Sequence, residues 1–439
     1  MSPPGPENLC GSNDRRQPPG LPVLGGEQAI GTIRLTEVNV NTRKLAPALA
    51  ALLLCSLLPA TAAPIIDAAA RAKIDKVVED SIARHDTPSC CVVIGTRDQV
   101  LFARAYGHFT YDVDSPPATL DTIYDMASCS KAVGTASAAA LLIQDGKLKL
   151  DDPVSKYLPS FDRDDKRTIT VRNLVTHTSG LAAYTSAAKA EAGRTADETN
   201  ADALIELIAS LPLKHETNKG RLYACLNFLT LARVNEQAAG VCQETLLRAK
   251  LFRPLAMINS GYYLSDAKKL RCAPTIGGAS FRQGDVHDPL AYYYRDGYHC
   301  PGNAGLFTTA NDLARFCRMV LSDGKWGDRQ VFAPATVDMF FTNQILDQPR
   351  QSWGLGWGIS SRRRPYPDSV TIGPKTACIS HGGYTGTFVE FDRYAGTFTV
   401  ILTNRVYPND STSIYVITRT VRQTMIDTDP TYKPAPSTQ

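Results

Sequence analysis

The sequence predicts one α/β domain of the α+β type, with strands near both ends of the chain and helices between them. Two short apolar runs at 90–95 and 100–106, joined by a polar turn, are typical of a β-hairpin. Strand character returns near the other end of the chain, at 355–359, 377–381, 388–392 and 397–403. The intervening stretch 200–252 has mostly helical spacing of its apolar residues. One discontinuous domain that carries an α-helical insertion accounts for this order.

The remaining elements follow from apolar spacing and from helix-breaking residues. A helix is predicted over 65–85, where apolar residues recur every three or four positions. A helix rich in Ala, Gly and Ser follows Ser128, and such small residues suit a tightly surrounded central helix. Later helices are predicted at 311–321, 334–343 and 411–427. The stretch 273–305 contains many Gly, Tyr and Asp residues and is predicted as a loop.

The front of the chain has the composition of a leader segment. Residues 1–42 are rich in Pro, Gly and Asn without periodicity, which is typical of disorder. Two basic residues then precede an apolar run at 45–58 and an Ala-x-Ala site that ends at Ala62. This pattern predicts a signal peptide cut after Ala62, an exported protein that is periplasmic or secreted, and no stable membrane span. An uncleaved anchor or a chance apolar helix is the alternative.

Composition and charge limit the possible partners. The 439 residues carry 47 Lys and Arg against 43 Asp and Glu, a net charge of +4, which gives no indication of a nucleic-acid partner. The eleven cysteines include no Cys-x-x-Cys, so neither a zinc cluster nor a disulfide framework is indicated. No histidine pair has metal-ligand spacing beside carboxylates. We therefore expect no metal and no cofactor.

Ser128 and Lys131 form a Ser-x-x-Lys pair at the start of the small-residue helix. Helix positions three apart share a face, which would bring the lysine amine near the hydroxyl. A serine is a poor nucleophile until a base takes its proton, and a desolvated lysine can be that base. The alternative is a solvent-facing Ser and Lys on an ordinary helix.

Three segments together resemble one family. They are the Ser128–Lys131 motif, the stretch 148–158, and the stretch 169–181, which ends in His177-Thr-Ser-Gly-Leu. From about residue 63 to 427 the chain is similar to the serine β-lactamase and penicillin-binding-protein-like superfamily. It is most similar to the class C-like branch of D,D-peptidases, β-lactamases and carboxylesterases.

The resemblance implies a fold and a domain division. It implies an antiparallel sheet flanked by helices, with an α/β lobe at about 63–135 and 345–427. An all-α insertion lobe would occupy about 136–344. Residues 1–62 would be the extension with the signal peptide, and 428–439 a tail.

The family's second motif is Tyr-x-Asn, and this chain has Tyr223 with Cys225 where Asn or Asp is usual. The resemblance implies that Tyr223 relays a proton between Lys131 and the leaving group. Cys225 would lie at the substrate, but it lacks the amide or carboxylate that could bond Lys131. A half-buried helix tyrosine is the alternative interpretation of Tyr223.

The third motif is usually Lys-Thr-Gly on a strand, with a Gly five residues and an aromatic seven residues after the Lys. Lys375 matches by its own letters, but Ser380 stands where Gly is needed. His381 has Gly386 and Phe388 at the required offsets, so we assign the motif to His381. A histidine is only partly charged at neutral pH. This favours esters or other substrates without a required carboxylate. A structural edge histidine is the alternative.

Several neighbours complete the implied site. Gly383 would let a substrate backbone approach the strand, and the N–H groups of Ser128 and Tyr384 would form an oxyanion hole. His287 could touch the substrate or be an ordinary loop histidine. The implied protein is an exported serine hydrolase that forms an acyl-enzyme on an ester or amide, with a small-molecule or peptidoglycan-derived substrate. A non-catalytic ligand-binding member that keeps the fold is the alternative.

Overall fold

A computed structural model of the protein describes residues 66–345, 352–360 and 372–429. The predicted disordered extension, the predicted signal peptide and nearly all of the predicted tail lie outside these residues. Within the described ranges, no helix is both long and apolar enough to cross a membrane.

The core of the fold is a six-stranded antiparallel sheet that joins the two ends of the domain. Its strand order is β2-β1-β10-β9-β8-β7. The bounds are β1 Ser89–Thr96, β2 Val100–Gly107, β7 Gly358–Ile359, β8 Cys378–Gly382, β9 Phe388–Asp392 and β10 Thr397–Thr403. The predicted hairpin and the four later strands are therefore present, and the α/β fold class is confirmed.

Both faces of the sheet are covered, which explains why β1 is apolar or small along its whole length. Alternate side chains point to opposite faces. Cys91 and Val93 belong to the main core, whereas Cys90, Val92 and Ile94 pack under the first and last helices. Burying such a side chain contributes roughly 1.5–3 kcal/mol.

The helices form layers on the two sides of the sheet. Their bounds are α1 Ala68–Ala83, α2 Ser137–Gln144, α3 Val171–Thr176, α4 Ala187–Gly193, α5 Asn200–Ser210, α6 Cys225–Ala239, α7 Gln243–Leu247, α8 Asp266–Lys269, α9 Pro289–Tyr294, α10 Ala310–Leu321, α11 Pro334–Phe341 and α12 Tyr415–Thr428. Helices α1 and α12 pack together on one side of the sheet. Helix α10 packs on β1 and β10, so this part of the predicted helical lobe 136–344 lies against the sheet.

Two predictions at the element level need correction. Helix α9 interrupts the stretch 273–305 that was predicted as a loop. Its signal is Asp288, which caps the helix by accepting from Ala291 N at 2.8 Å, followed by Pro289 at the first helical position. The last helix begins at Tyr415 rather than at residue 411.

A short two-stranded pairing connects the Ser128 region to a distant segment. Strand β3, Ile123–Asp125, pairs with β4, Phe307–Thr309, and a separate hairpin pairs β5, Lys325–Trp326, with β6, Arg329–Gln330. Just beyond β3 and β4, Met126 N donates to Leu306 O at 2.9 Å, and Leu306 N donates to Ser130 Oγ at 3.0 Å. The residues before β4 are thereby held beside the start of the small-residue helix.

Candidate active site

Ser128 lies in the turn between β3 and the helix, partly exposed, with buried neighbours on both sides. The preceding residue, Ala127, has φ 42°, a left-handed conformation that side chains other than Gly rarely adopt. Asp125 stabilises this turn by accepting from Ala127 N at 2.8 Å and from His287 N at 2.7 Å. Backbone strain of this kind persists only where the surrounding structure stabilises it. In this turn the strained backbone leaves the Ser128 side chain partly exposed to solvent.

Lys131 begins a π-helical turn, Lys131–Ala136, that leads into α2. Its side chain is fully buried. Nζ lies 3.0 Å from Ser128 Oγ, 2.9 Å from the carbonyl oxygen of Asn303 and 3.5 Å from Cys225 Sγ. The predicted contact between the motif's serine and lysine is therefore present, although Ser128 lies in a turn rather than within the helix.

The protonation of Lys131 differs from the prediction. Burial lowers its pKa, but Tyr223 and Cys225 raise it by more, so the pKa lies above its ordinary value. The prediction that burial disfavours the charged amine describes only one of these effects, and the neighbouring groups outweigh it. The raised pKa favours the protonated amine in the resting site.

Tyr223 lies beside Lys131, whose Nζ is 5.1 Å from the ring centroid. The ring packs on buried His177 with centroids 4.5 Å apart, and Ala224 N donates to His177 Nδ1 at 3.1 Å. His177 itself adopts φ 62° and ends α3. The stretch 169–181 was recognised in the sequence as a segment typical of the family. Its contact with the second motif was not predicted, because nothing in the sequence places the two segments together.

Cys225 occupies the first position of α6 with its sulfur toward Lys131. A thiol is a weaker acceptor than an amide or a carboxylate. With Cys225 in place of the usual Asn or Asp, the position of Lys131 Nζ therefore depends mainly on its other hydrogen-bond partners. The shortest of these contacts is the one to the carbonyl of Asn303, at 2.9 Å.

Strand β8 and the turn after it pack directly on the Ser128 turn. Cys129 Sγ lies 3.3 Å from His381 O, and Thr387 Oγ1 donates to Met126 O at 2.8 Å. A Cβ on Gly383 would lie 2.5 Å from Met126 O and 3.4 Å from Ala127 Cβ, so only Gly fits there. This close approach is the structural reason for the glycine in the motif.

Lys375, the rejected alternative, lies elsewhere. Its Nζ pairs with Asp323 at 2.9 Å and with Asp338 at 3.0 Å. His381 instead has its ring 6.1 Å from that of Tyr223. The structure thus brings His381, and not Lys375, to the other motif residues.

His381 is buried, and burial followed by the charge of Lys131 lowers its pKa to about 3. The expectation that it is partly charged at neutral pH is therefore wrong. Its Nδ1 contacts Gly382 O at 2.9 Å, whereas Nε2 is buried without a partner among the described residues. The ring is a neutral polar group that faces the cleft.

Two of the remaining predicted residues, His287 and Tyr384, contact each other. The His287 ring stacks on that of Tyr384 with centroids 5.8 Å apart. Burial of the His287 ring lowers its pKa. The N–H groups of Ser128 and Tyr384 donate to no protein acceptor within the described ranges. A cavity of about 370 Å³ lies nearby, lined in part by Tyr223, Trp353 and His381.

One further residue, Asn303, belongs to this site but was not predicted. Asn303 offers its backbone oxygen to Lys131, and its amide Nδ2 donates to Asp288 at 3.0 Å. A backbone contact leaves no side-chain signal by which it could have been found.

Comparison with known proteins gives a consistent family. The Beta-lactamase family model matches residues 74–417. A putative D-alanyl-D-alanine carboxypeptidase of Escherichia coli (strain K12) is 29% identical over 350 residues, which are 72% of this chain and 78% of that protein.

Solved structures share the fold. EstCE1, a hydrolase with promiscuous acyltransferase activity, superposes with a TM-score of 0.64 at 20% identity, over 81% of this chain and 98% of that one. A class C beta lactamase from Rhodobacter sphaeroides gives 0.62 at 18% identity over the same shares of the two chains. The predicted resemblance and fold are confirmed. Because the family match spans most of its length, the chain belongs to the Beta-lactamase family and is a serine hydrolase.

Proposed function

We propose that the protein is an exported hydrolase that cleaves an ester or amide through an acyl-enzyme on Ser128. The observation that carries this proposal is the 3.0 Å contact between Lys131 Nζ and Ser128 Oγ, with Tyr223 beside the amine. A hydroxyl in contact with a proton-relaying pair is the arrangement that nucleophilic catalysis needs.

The geometry supports a two-step reaction. In its reactive form the pair of Lys131 and Tyr223 has lost one proton, and the site left vacant takes the proton of Oγ as Oγ attacks the substrate carbonyl. Tyr223 then delivers a proton to the leaving group, which departs and leaves the acyl group on Ser128. Water attacks the ester in the second step, with the same groups handling the proton, and Ser128 is released.

The developing oxyanion needs donors that are not already used. The N–H groups of Ser128 and Tyr384 meet this condition within the described part of the chain. The close packing of Gly383 on Met126 and Ala127 places the Tyr384 turn next to the nucleophile. We assign the oxyanion hole to these two groups.

The substrate class follows from the charge of the third motif. His381 is neutral at physiological pH and therefore offers no cation to a substrate carboxylate. We propose neutral esters as the preferred class. A D-alanyl peptide is the second candidate, because the curated relative is named for D-alanyl-D-alanine carboxypeptidase activity.

Labelling with a fluorophosphonate tests the reaction, with Ser128→Ala as the matched control. We expect the probe to attach to the wild type and not to the variant, since the change removes one oxygen and leaves the turn in place. Absence of labelling in folded wild type would favour the rival, a non-catalytic ligand-binding member of the fold.

A panel of substrates tests the specificity. We expect hydrolysis of p-nitrophenyl esters to exceed that of nitrocefin and of D-Ala-D-Ala peptides. Faster cleavage of the peptides would contradict the assignment of neutral esters. Export is tested separately by the N-terminal sequence of protein recovered outside the cytoplasm, which we expect to begin near Ala63.

A further inference from the structure

A pair of cysteines lies outside the cleft, in a part of the fold that the proposed reaction does not use. Cys242 Sγ and Cys300 Sγ are 3.4 Å apart, and both residues are buried. Cys242 donates to Tyr298 O at 2.7 Å, so the proton shared between the two sulfurs comes from Cys300. The two residues are 58 positions apart in sequence and connect the start of α7 to the segment after α9.

Hydrogen bonds to the carboxylate of Glu236 hold the backbone segments that carry the two thiols close together. Glu236 accepts from Cys300 N at 3.1 Å and from Gln243 N, the residue after Cys242, at 3.3 Å. The same carboxylate contacts His299 Nδ1 at 2.9 Å and lies 3.5 Å from Arg233. Both of its oxygens are thus engaged, with a cation beside them.

These contacts decide between two uses of the cluster. Glu236, Cys242 and Cys300 lie close enough to hold a metal ion. A metal would have to compete with the N–H donors and with Arg233 for the carboxylate. A covalent bond between the sulfurs requires no change at Glu236. The sulfurs need only approach from 3.4 Å to about 2.05 Å.

The segment that carries Cys300 continues to the catalytic lysine. Gly302 O accepts from Thr135 Oγ1 at 2.9 Å, and a Cβ on Gly302 would lie 1.8 Å from Phe228 O. The next residue, Asn303, offers its carbonyl to Lys131. Cys300 is therefore only three positions before the residue whose carbonyl positions the amine of Lys131.

We propose that Cys242 and Cys300 form a disulfide when the protein meets a small disulfide oxidant, and that this bond fixes the segment 300–303 against Lys131. This proposal rests on the proposed export in one respect only, because an exported protein would meet the oxidising surroundings in which disulfides form. The hydrogen bond from Cys300 lowers the pKa of Cys242, which favours the thiolate that begins the exchange.

The exchange balances as follows. The Cys242 thiolate attacks one sulfur of the small disulfide, which breaks its S–S bond and releases the first small thiol. The Cys300 thiolate then attacks Cys242 Sγ and displaces the second small thiol. Two electrons pass from the protein to the oxidant, and the two protein protons leave on the two released thiols.

Thiol counting on purified protein tests the bond. One sample is incubated with oxidised glutathione, and another is refolded from denaturant in the same reagent, so that burial of the pair is no obstacle. Both are denatured and alkylated, and we expect two fewer alkylated thiols than in reduced protein and a linked peptide that contains both residues. Cys242→Ser should abolish the linked peptide. Cys317→Ala, which removes a buried cysteine on α10, should leave it unchanged.

Two readouts test the fixing of the segment. We expect oxidation to raise the Tm by at least about 5 °C, because the bond closes a long loop. We also expect it to slow amide exchange in 300–306, in the wild type and Cys317→Ala but not in Cys242→Ser.

Three results would overturn the proposal. A full complement of alkylated thiols after refolding would exclude the disulfide, and one zinc ion per chain that protects both thiols would establish the metal site instead. A linked peptide with unchanged exchange in 300–306 would refute the effect on the segment. None of these readouts measures hydrolysis, so failure here is distinct from failure of the proposed activity.

Discussion

The carbonyl oxygen of Asn303 lies 2.9 Å from Lys131 Nζ, slightly closer than the hydroxyl of Ser128 at 3.0 Å. The amine is therefore held from two directions, by the nucleophile and by a distant backbone segment. Because the carbonyl remains in place when the serine reacts, it can keep Lys131 positioned through both steps of the reaction.

Replacement of the proton-relaying residues should reduce turnover. We expect Lys131→Ala to lower kcat by about 10²–10⁴-fold, the usual contribution of a positioned proton transfer. Tyr223→Phe should fall in the same range or below it. Steady-state kinetics on a p-nitrophenyl ester measures both, and near-full activity in Tyr223→Phe would show that the second motif is misassigned.

His177 should act as a positioning residue for Tyr223. His177→Phe keeps a ring against the tyrosine but removes the acceptor for Ala224 N, and an unsatisfied buried N–H costs about 1–3 kcal/mol. We expect a lower Tm and a kcat reduced about tenfold, with KM little changed. His177→Gln, which retains an acceptor, should recover part of the loss; equal losses in the two variants would contradict this role.

The two candidates for the third motif should differ in their effect on activity. We expect His381→Ala to lower kcat/KM, because the ring faces the cleft beside Tyr223. Lys375→Ala should leave kcat/KM unchanged, since its exposed ion pairs with Asp323 and Asp338 contribute at most about 1 kcal/mol each to stability. The reverse pattern of losses would reassign the motif to Lys375.

The neutral state of His381 makes a separate prediction about pH. Its pKa of about 3 lies far below the physiological range. An ordinary histidine changes its charge between about pH 5.5 and 8. Over this range, kcat/KM for a neutral ester and kcat/KM for a carboxylate-bearing ester should therefore change in parallel. A selective loss of the anionic substrate as pH rises would show that the histidine titrates as a cation.

Asp125 should control an acidic limb of the activity profile. Burial raises its pKa from 3.8 to about 6, against the hydrogen bonds from His287 N and Ala127 N. Below this pKa the carboxyl is protonated and binds the two donors less well, so kcat/KM should fall as pH drops through about 6. This limb should be absent in Asp125→Asn, and its persistence there would assign it to another group.

The same shift has the opposite sign for stability. A raised pKa means that folding favours the protonated carboxyl, so its contribution is complete below pH 3.8 and is lost as pH rises through about 6. Thermal unfolding of wild type and Asp125→Asn across this range measures the difference.

The sequence predicted those parts of the site that depend on local spacing. Ser128 and Lys131 are three positions apart, and the offsets from His381 to Gly386 and Phe388 identified the strand whose histidine lies beside Tyr223. The protonation of the site was not predictable in this way. Lys131 and His381 both departed from expectation, because their pKa values depend on burial and on partners from distant segments.

The same limit applies to the fold. Strands with a clear apolar pattern were predicted at nearly their observed positions. Helix α9 was missed because six residues provide too little periodicity, although its Asp-Pro start was visible. The contact of Asn303 with Lys131 is made by a backbone atom, which no side-chain pattern records.

The central pairing of β1 with β10 has a consequence for synthesis of the protein. Ser128, the proposed nucleophile, follows β1 to β3, whereas β8 to β10, which complete the sheet, are synthesised only after the intervening helices. Until those strands arrive, β1 has an open edge and Ser128 has no His381 strand beside it. We therefore expect a nascent or prematurely terminated chain to carry the proposed nucleophile in an inert form until β8 to β10 are in place.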